Sequence, residues 1–134
     1  MTVEAVAVVA ALLFGVMALF QLALALGVRW GAFAFGGRAV RDDGTLPLAY
    51  RVASAGAAVV LAFFAGVILT RGGVIGTSGD STWVTVMSWV IVAFMAINTL
   101  MNFMGKHRIE RYVFGGITVV LVVLCSIVAV AGPS

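Results

Sequence analysis

The chain has 134 residues, of which 63% are hydrophobic and only 10% charged. Soluble domains average about 45–50% apolar and about 25% charged residues, so a water-exposed surface of ordinary polarity is excluded and a bilayer is the natural solvent for the excess. The net charge of +3 comes from basic residues gathered in a few short segments, where they act as topology signals rather than as a nucleic-acid footprint.

The first apolar run extends from about Val3 to Val28 and is broken only by Glu4 and Gln21. No Lys or Arg precedes Arg29, so the run lacks the positive start of a secretory signal and is expected to stay in the mature protein. Glu4 falls in the first helical turn, where its charge suits the helix dipole. A shorter stripe of small residues, Ala7, Ala11 and Gly15, runs along one face.

The next segment carries aromatic residues unusual for a loop: Trp30, Phe33 and Phe35, then Gly36-Gly37-Arg38. These rings suit a headgroup layer, with Arg38 and Arg41 on lipid phosphates, and the glycine pair suits an anion nest. The plainer reading, a loop tucked under the bundle, is favoured. Asp43-Gly44 marks a turn, and Thr45 with Pro47 suits the start of the next helix.

The second run covers about Leu48 to Thr70 and places Ser54, Ala58, Ala62, Gly66 and Thr70 at four-residue spacing. In lipid, helices approach closely across such faces. The strip reads as a helix-packing face within the bundle, or as a dimer interface. Arg71 and the glycines at 72, 73, 76 and 79 form the middle loop, and Asp80 or Ser81 caps the third helix.

The third run covers about Thr82 to Met104, with Trp83 at its end and Trp89 deeper as a packing residue. Asn98 and Asn102 are four apart and share a face. Gln21 and Asn98 each lie some six residues before the end of their runs, or about 9 Å inside at about 1.5 Å per residue. Ser54 falls at a similar depth and Asn102 nearer the surface. Gln21, Ser54, Asn98 and Asn102 therefore define one polar layer. It reads either as a binding site or ion path, or as interhelical bonding of about 1 kcal/mol or less per bond, and the second reading is favoured.

The last loop holds Lys106, His107, Arg108, Glu110 and Arg111. It reads as a solvated charge cluster, or as a surface for anionic lipid or a protein partner. The fourth run covers about Tyr112 to Ala131 and is rich in β-branched residues. In lipid the backbone must satisfy its own hydrogen bonds, so it is read as a helix all the same. The single cysteine, Cys125, excludes an intramolecular disulfide. His107 has only Glu110 at ligand spacing, so no metal site and no cofactor are expected.

The resulting fold class is all-α: one domain, a bundle of four transmembrane helices over about 3–28, 48–70, 82–104 and 112–131. Seven of the eight basic residues, all but Arg71, fall in the first and last loops. By the positive-inside rule those loops are cytoplasmic and both termini lie outside.

Trp30-Gly31, Gly36-Gly37-Arg38, Leu46-Pro47, Arg51, Asn98, Asn102 and Glu110-Arg111 together resemble the layout of small four-helix integral membrane proteins of high-GC bacteria. The resemblance spans nearly the whole chain and implies a bacterial inner-membrane location, but no activity. Small multidrug exporters carry a membrane-embedded glutamate in the first helix, and Glu4 sits too near the end of its run to match.

The favoured function is a non-catalytic accessory or partner-binding subunit. The alternative is a small homo-oligomeric transporter or channel using the polar layer. An enzyme acting on lipid through His107 and Glu110 is the least supported, since nothing resembles a nucleophile with its base. Expected partners are membrane lipids with anionic headgroups through Trp30, Arg38, Arg41, Lys106, Arg108 and Arg111, a second copy, or another membrane protein. Nucleic acid is not expected.

Overall fold

The computed structural model describes residues 1–37 and 39–133. Arg38, expected on lipid phosphates, lies outside the described residues. The long helices are α1 (Val3–Ala25), α2 (Leu48–Arg71), α3 (Thr82–Phe103) and α4 (Gly115–Ala131). A π-helical segment, Ile109–Phe114, runs directly into α4. Counting Ile109–Ala131 as one span, four helices among the described residues are long and apolar enough to cross a membrane. No strand occurs among the described residues.

Local chemistry sets the ends. Thr2 Oγ1 accepts the Ala5 N–H at 3.1 Å and caps α1. The helix stops at Ala25, short of the expected Val28, because Gly27 turns left-handed with φ 95°. Gly27 and Val28 then donate to the carbonyls of Leu24 and Ala23, closing the last turn as a Schellman motif. Arg51 Nε donates to the Ala25 carbonyl at 3.0 Å. The same motif ends α2, with Gly73 at φ 80°. Of the two caps expected for α3, Ser81 serves: its Oγ accepts the Val84 N–H at 3.3 Å. The fourth span starts at Ile109 rather than Tyr112, because His107 Nδ1 accepts the Ile109 N–H at 3.1 Å.

Four hydroxyls inside the spans are satisfied locally. Ser88, Thr99, Thr118 and Ser126 each donate to a carbonyl three or four residues earlier on their own helix. They need no partner across the bundle.

The core gathers Phe14 from α1, Phe64 and Ile68 from α2, Ile91 and Met95 from α3, and Leu121 from α4. Phe14 and Phe64 meet edge to face at 6.0 Å. Helix α1 packs on α2 and α4, and α3 packs on α4, whereas α2 and α3 touch sparsely. The outer surface is apolar, with Ile97 62% and Val130 72% exposed. Such a surface suits an apolar medium, and the fold is compatible with a multi-pass membrane protein. Trp89, expected as a packing residue, is half-exposed and belongs to this outer surface.

The small-residue strip of α2 is only partly buried. Ser54 is buried, Ala58 and Gly66 are half-buried, and Ala62 is exposed. A Cβ placed on Gly66 would meet nothing within 4 Å. Large residues hold the buried face of α2: Leu61, Phe64 and Ile68. Just past the end of α2, a Cβ added at Gly72 would come within 2.6 Å of the Ala7 Cβ of α1.

Arg71, the one cation assigned to the middle loop, is the last residue of α2 and is 8% exposed. Its guanidinium donates to the Gly79 carbonyl at 2.9 Å, the Thr85 hydroxyl at 3.0 Å and the Ala129 carbonyl at 2.7 Å. It thereby ties the end of α2 to the middle loop, to α3 and to the end of α4. Asp80, at 3.9 Å, is largely exposed and adds little.

Candidate functional site

At the end of the bundle that carries the basic loops, the first loop folds back under the helices. Ala34 and Leu46 bury themselves with Leu24 as a small second core. Gly31 donates to the Gly44 carbonyl at 3.0 Å. A Cβ on Gly31 would press on that same oxygen at 3.0 Å, so the crossing favours glycine. Asp43 accepts from the Thr45 hydroxyl at 2.6 Å and the Thr45 N–H at 3.0 Å. The hydroxyl bond first, then the N–H bond, holds the Asp43 carboxyl below the usual carboxylate range.

The two basic loops are knitted together. Glu110, expected in a solvated charge cluster, is 3% exposed. Its Oε2 accepts the Gly36 N–H at 3.2 Å, while the Gly36 carbonyl accepts the Lys106 N–H at 3.3 Å. The Glu110 carboxylate lies directly over Gly105, where a Cβ would collide with Oε1. Phe33 packs edge-on against His107 at 4.4 Å. Phe35 packs against Tyr50 at 5.1 Å. Phe35 holds φ 53°, a left-handed conformation that is costly for an aromatic residue. The adjoining Gly36 and Gly37 continue it at φ 72° and 73°.

Above this plate the sparse α2–α3 contact leaves a cavity of about 600 Å³, within the range of about 300–1,000 Å³ typical of small-molecule sites. Helix α1 supplies Met17, Phe20 and Gln21; α2 supplies Tyr50, Ala53, Ala57, Val60 and Leu61. Helix α3 supplies Phe94, Asn98, Met101 and Asn102. The floor is Phe33 to Gly36 with Glu110 and Phe114. Tyr50, Ala53, Val60, Phe94 and Met101 are also exposed on the outer surface, so the cavity opens sideways between α2 and α3.

Of the expected polar layer, Gln21, Asn98 and Asn102 meet at this cavity. Asn102 Nδ2 donates to Asn98 Oδ1 at 2.9 Å. Gln21 Oε1 is buried and accepts from no group among the described residues. Ser54 is fully buried but does not line the cavity, and its Oγ likewise has no partner among the described residues.

The loop residues expected to meet lipid or a partner are mostly outside the cavity wall. Arg41, Lys106, Arg108 and Arg111 are exposed, and Arg111 lies over the Tyr112 ring at 5.5 Å. Trp30 is half-exposed and stacks on Phe20 at 6.0 Å, one ring away from the cavity. Sequence reasoning missed Phe33, Phe35 and Glu110 as parts of one enclosure. The density of rings next to a glycine pair was the available signal.

Carboxamides do not titrate, and they offer both donors and acceptors. Together with the Glu110 carboxylate and the Tyr50 hydroxyl they are the polar groups of a wall that is otherwise aromatic, aliphatic and methionine. No protein-family model, curated protein or solved structure matches the chain.

Proposed function

We propose that the chain is a small multi-pass protein of the bacterial cytoplasmic membrane with a non-catalytic role: the cleft between α2 and α3 receives an amphipathic molecule from the surrounding lipid. The observation that carries this reading is the polarity gradient of the cleft. Gln21, Asn98 and Asn102 lie toward the loop end, and Met17, Val60, Leu61 and Phe94 form its apolar part. A molecule with one polar end and an apolar tail matches both halves at once. The lateral opening lets it enter without crossing water.

The location and orientation rest on the charge pattern. Arg29, Arg38, Arg41, Arg51, Lys106, Arg108 and Arg111 put the loop end of the cleft on the cytoplasmic side, with both termini outside. The exposed basic residues then face anionic headgroups, each adding about 1 kcal/mol near such a surface.

The test is native mass spectrometry of the full chain, gently extracted from its own membrane. A stoichiometric small molecule retained on the chain is expected. A stoichiometric foreign polypeptide with no retained small molecule would reject the cleft reading in favour of an accessory subunit.

A second reading, a small homo-oligomeric transporter or channel, is favoured by the outward position of Ala62 and the open space at Gly66. That strip is free to meet a second copy. A homo-oligomer seen in the same experiment, with its contact at Ala58, Ala62 and Gly66, would support it.

A further inference from the structure

We infer that the molecule held in the α2–α3 cleft carries an uncharged head whose oxygen atoms, carbonyl or hydroxyl, hydrogen-bond to the carboxamides of Gln21, Asn98 and Asn102. This deepens the cleft reading and rests on it.

The chemistry of the polar end decides the head. The Asn98–Asn102 bond uses one N–H of Asn102 and the carbonyl oxygen of Asn98. That leaves the Asn98 amide nitrogen with two N–H groups and Asn102 with its own oxygen. Gln21 adds a buried oxygen that accepts from nothing among the described residues, together with its NH₂ group. Donors and acceptors thus stand side by side at one end of the cavity, which suits an oxygen-bearing neutral group.

An ionised head fits less well. A charge taken from water into an apolar enclosure needs an opposite charge or several directed bonds. Among the described residues, the cavity wall contains no lysine, arginine or histidine. The one carboxylate in the wall, Glu110, is engaged in joining the loops through the Gly36 N–H. The cations near this end, Lys106, Arg108 and Arg111, are exposed outside the wall. They attract anionic lipid to the surface without entering the cleft.

The wall also fits a flat or slender apolar body. Phe20, Phe33, Phe35, Tyr50, Phe94 and Phe114 surround the cavity with rings. Two methionines on α3 and its end, Met101 and Met104, supply adaptable surface. A tail leaving sideways between Ala53 and Ala57 of α2 and Met101 of α3 enters the outer apolar medium directly.

The test compares heads on one tail. Farnesyl benzoquinone, farnesol, farnesyl phosphate and farnesyl trimethylammonium are each titrated into the purified full chain, and occupancy is read by native mass spectrometry. The two neutral probes are expected to bind, the charged pair about ten-fold more weakly. Benzoquinone offers acceptors alone and farnesol also donates, so their ratio tells a quinone-type head from an alcohol. Combined Asn98→Leu and Asn102→Leu substitution should erase the preference for neutral heads and leave tail-driven binding of the charged pair unchanged. Gln21→Leu gives a second variant on another helix should the double variant fold poorly.

Tighter binding of the phosphate or the ammonium, or equal binding of all four, overturns the inference while leaving the cleft as a binding site. Failure of all four to bind, in a chain that also leaves its membrane with no small molecule, overturns the cleft reading and this inference together.

Discussion

The N–H of Gly36 in the first loop donates to Oε2 of Glu110, 74 residues later in the chain, at 3.2 Å. With the bond from the Lys106 N–H to the Gly36 carbonyl, it joins the two basic loops under the cleft, and Gly105 makes room for it. A methyl group on Gly105 would strike the Glu110 carboxylate. Gly105→Ala should therefore destabilise the protein, by about 1–3 kcal/mol if it behaves as ordinary overpacking. Combination with Glu110→Ala removes the obstacle, so the cost of Gly105→Ala should fall markedly in that background. Thermal unfolding of the two single variants and the double variant in detergent forms the cycle. Simple additivity would mean that Gly105 acts through something other than Glu110.

Arg71 governs the opposite end. Its removal leaves the carbonyls of Gly79 and Ala129 without the donors they now have. Each buried group so stranded costs about 1–3 kcal/mol. Arg71→Met should lower the unfolding temperature and open the loop at 72–81 to protease. Arg71→Lys keeps the charge but not the fork that reaches two carbonyls and the Thr85 hydroxyl. It should recover only part of the loss. Full recovery by lysine would reduce the role of Arg71 to its charge.

These two contacts also mark the limit of sequence reading. The four spans are legible because each is a continuous apolar run in a chain that cannot otherwise satisfy its backbone. The ends of α1 and of the fourth span shift by three residues each, because Gly27 and His107 close and open them through backbone bonds that hydropathy does not register. Gln21, Asn98 and Asn102, placed at neighbouring depths by helical rise, all line one cavity. Depth does not fix rotation, and Ser54 at the same depth is buried away from the cavity wall. The burial of Glu110 and Arg71 is set by partners distant in the chain. In the sequence both look like ordinary loop charges.

The orientation is tested with single cysteines. Asp42→Cys in the first loop and Thr77→Cys in the middle loop both replace exposed residues. An impermeant thiol reagent added to intact cells should label position 77 and not position 42. Cys125 is fully buried and should stay unlabelled. The reverse pattern would invert the membrane orientation and place the polar end of the cleft outside.

Gly66 within α2 and Gly72 at its C-terminal cap should respond to substitution in opposite ways. A Cβ on Gly66 meets open space, while one on Gly72 comes within 2.6 Å of the Ala7 Cβ. Gly72 has φ −76°, a conformation any residue adopts, so a substitution there is penalised by contact and not by backbone strain. Gly66→Ala should leave the unfolding temperature unchanged or raise it, since alanine favours a helix over glycine by up to about 1 kcal/mol. Gly72→Ala should lower it by the equivalent of about 1–3 kcal/mol. Ala7→Gly added to Gly72→Ala should restore most of the loss, because the colliding methyl is gone. If Gly66→Ala proved as damaging as Gly72→Ala, the open space at Gly66 would have to be filled by a second copy. The unfolding temperature would then rise with protein concentration, and the small-residue strip would be an oligomer contact.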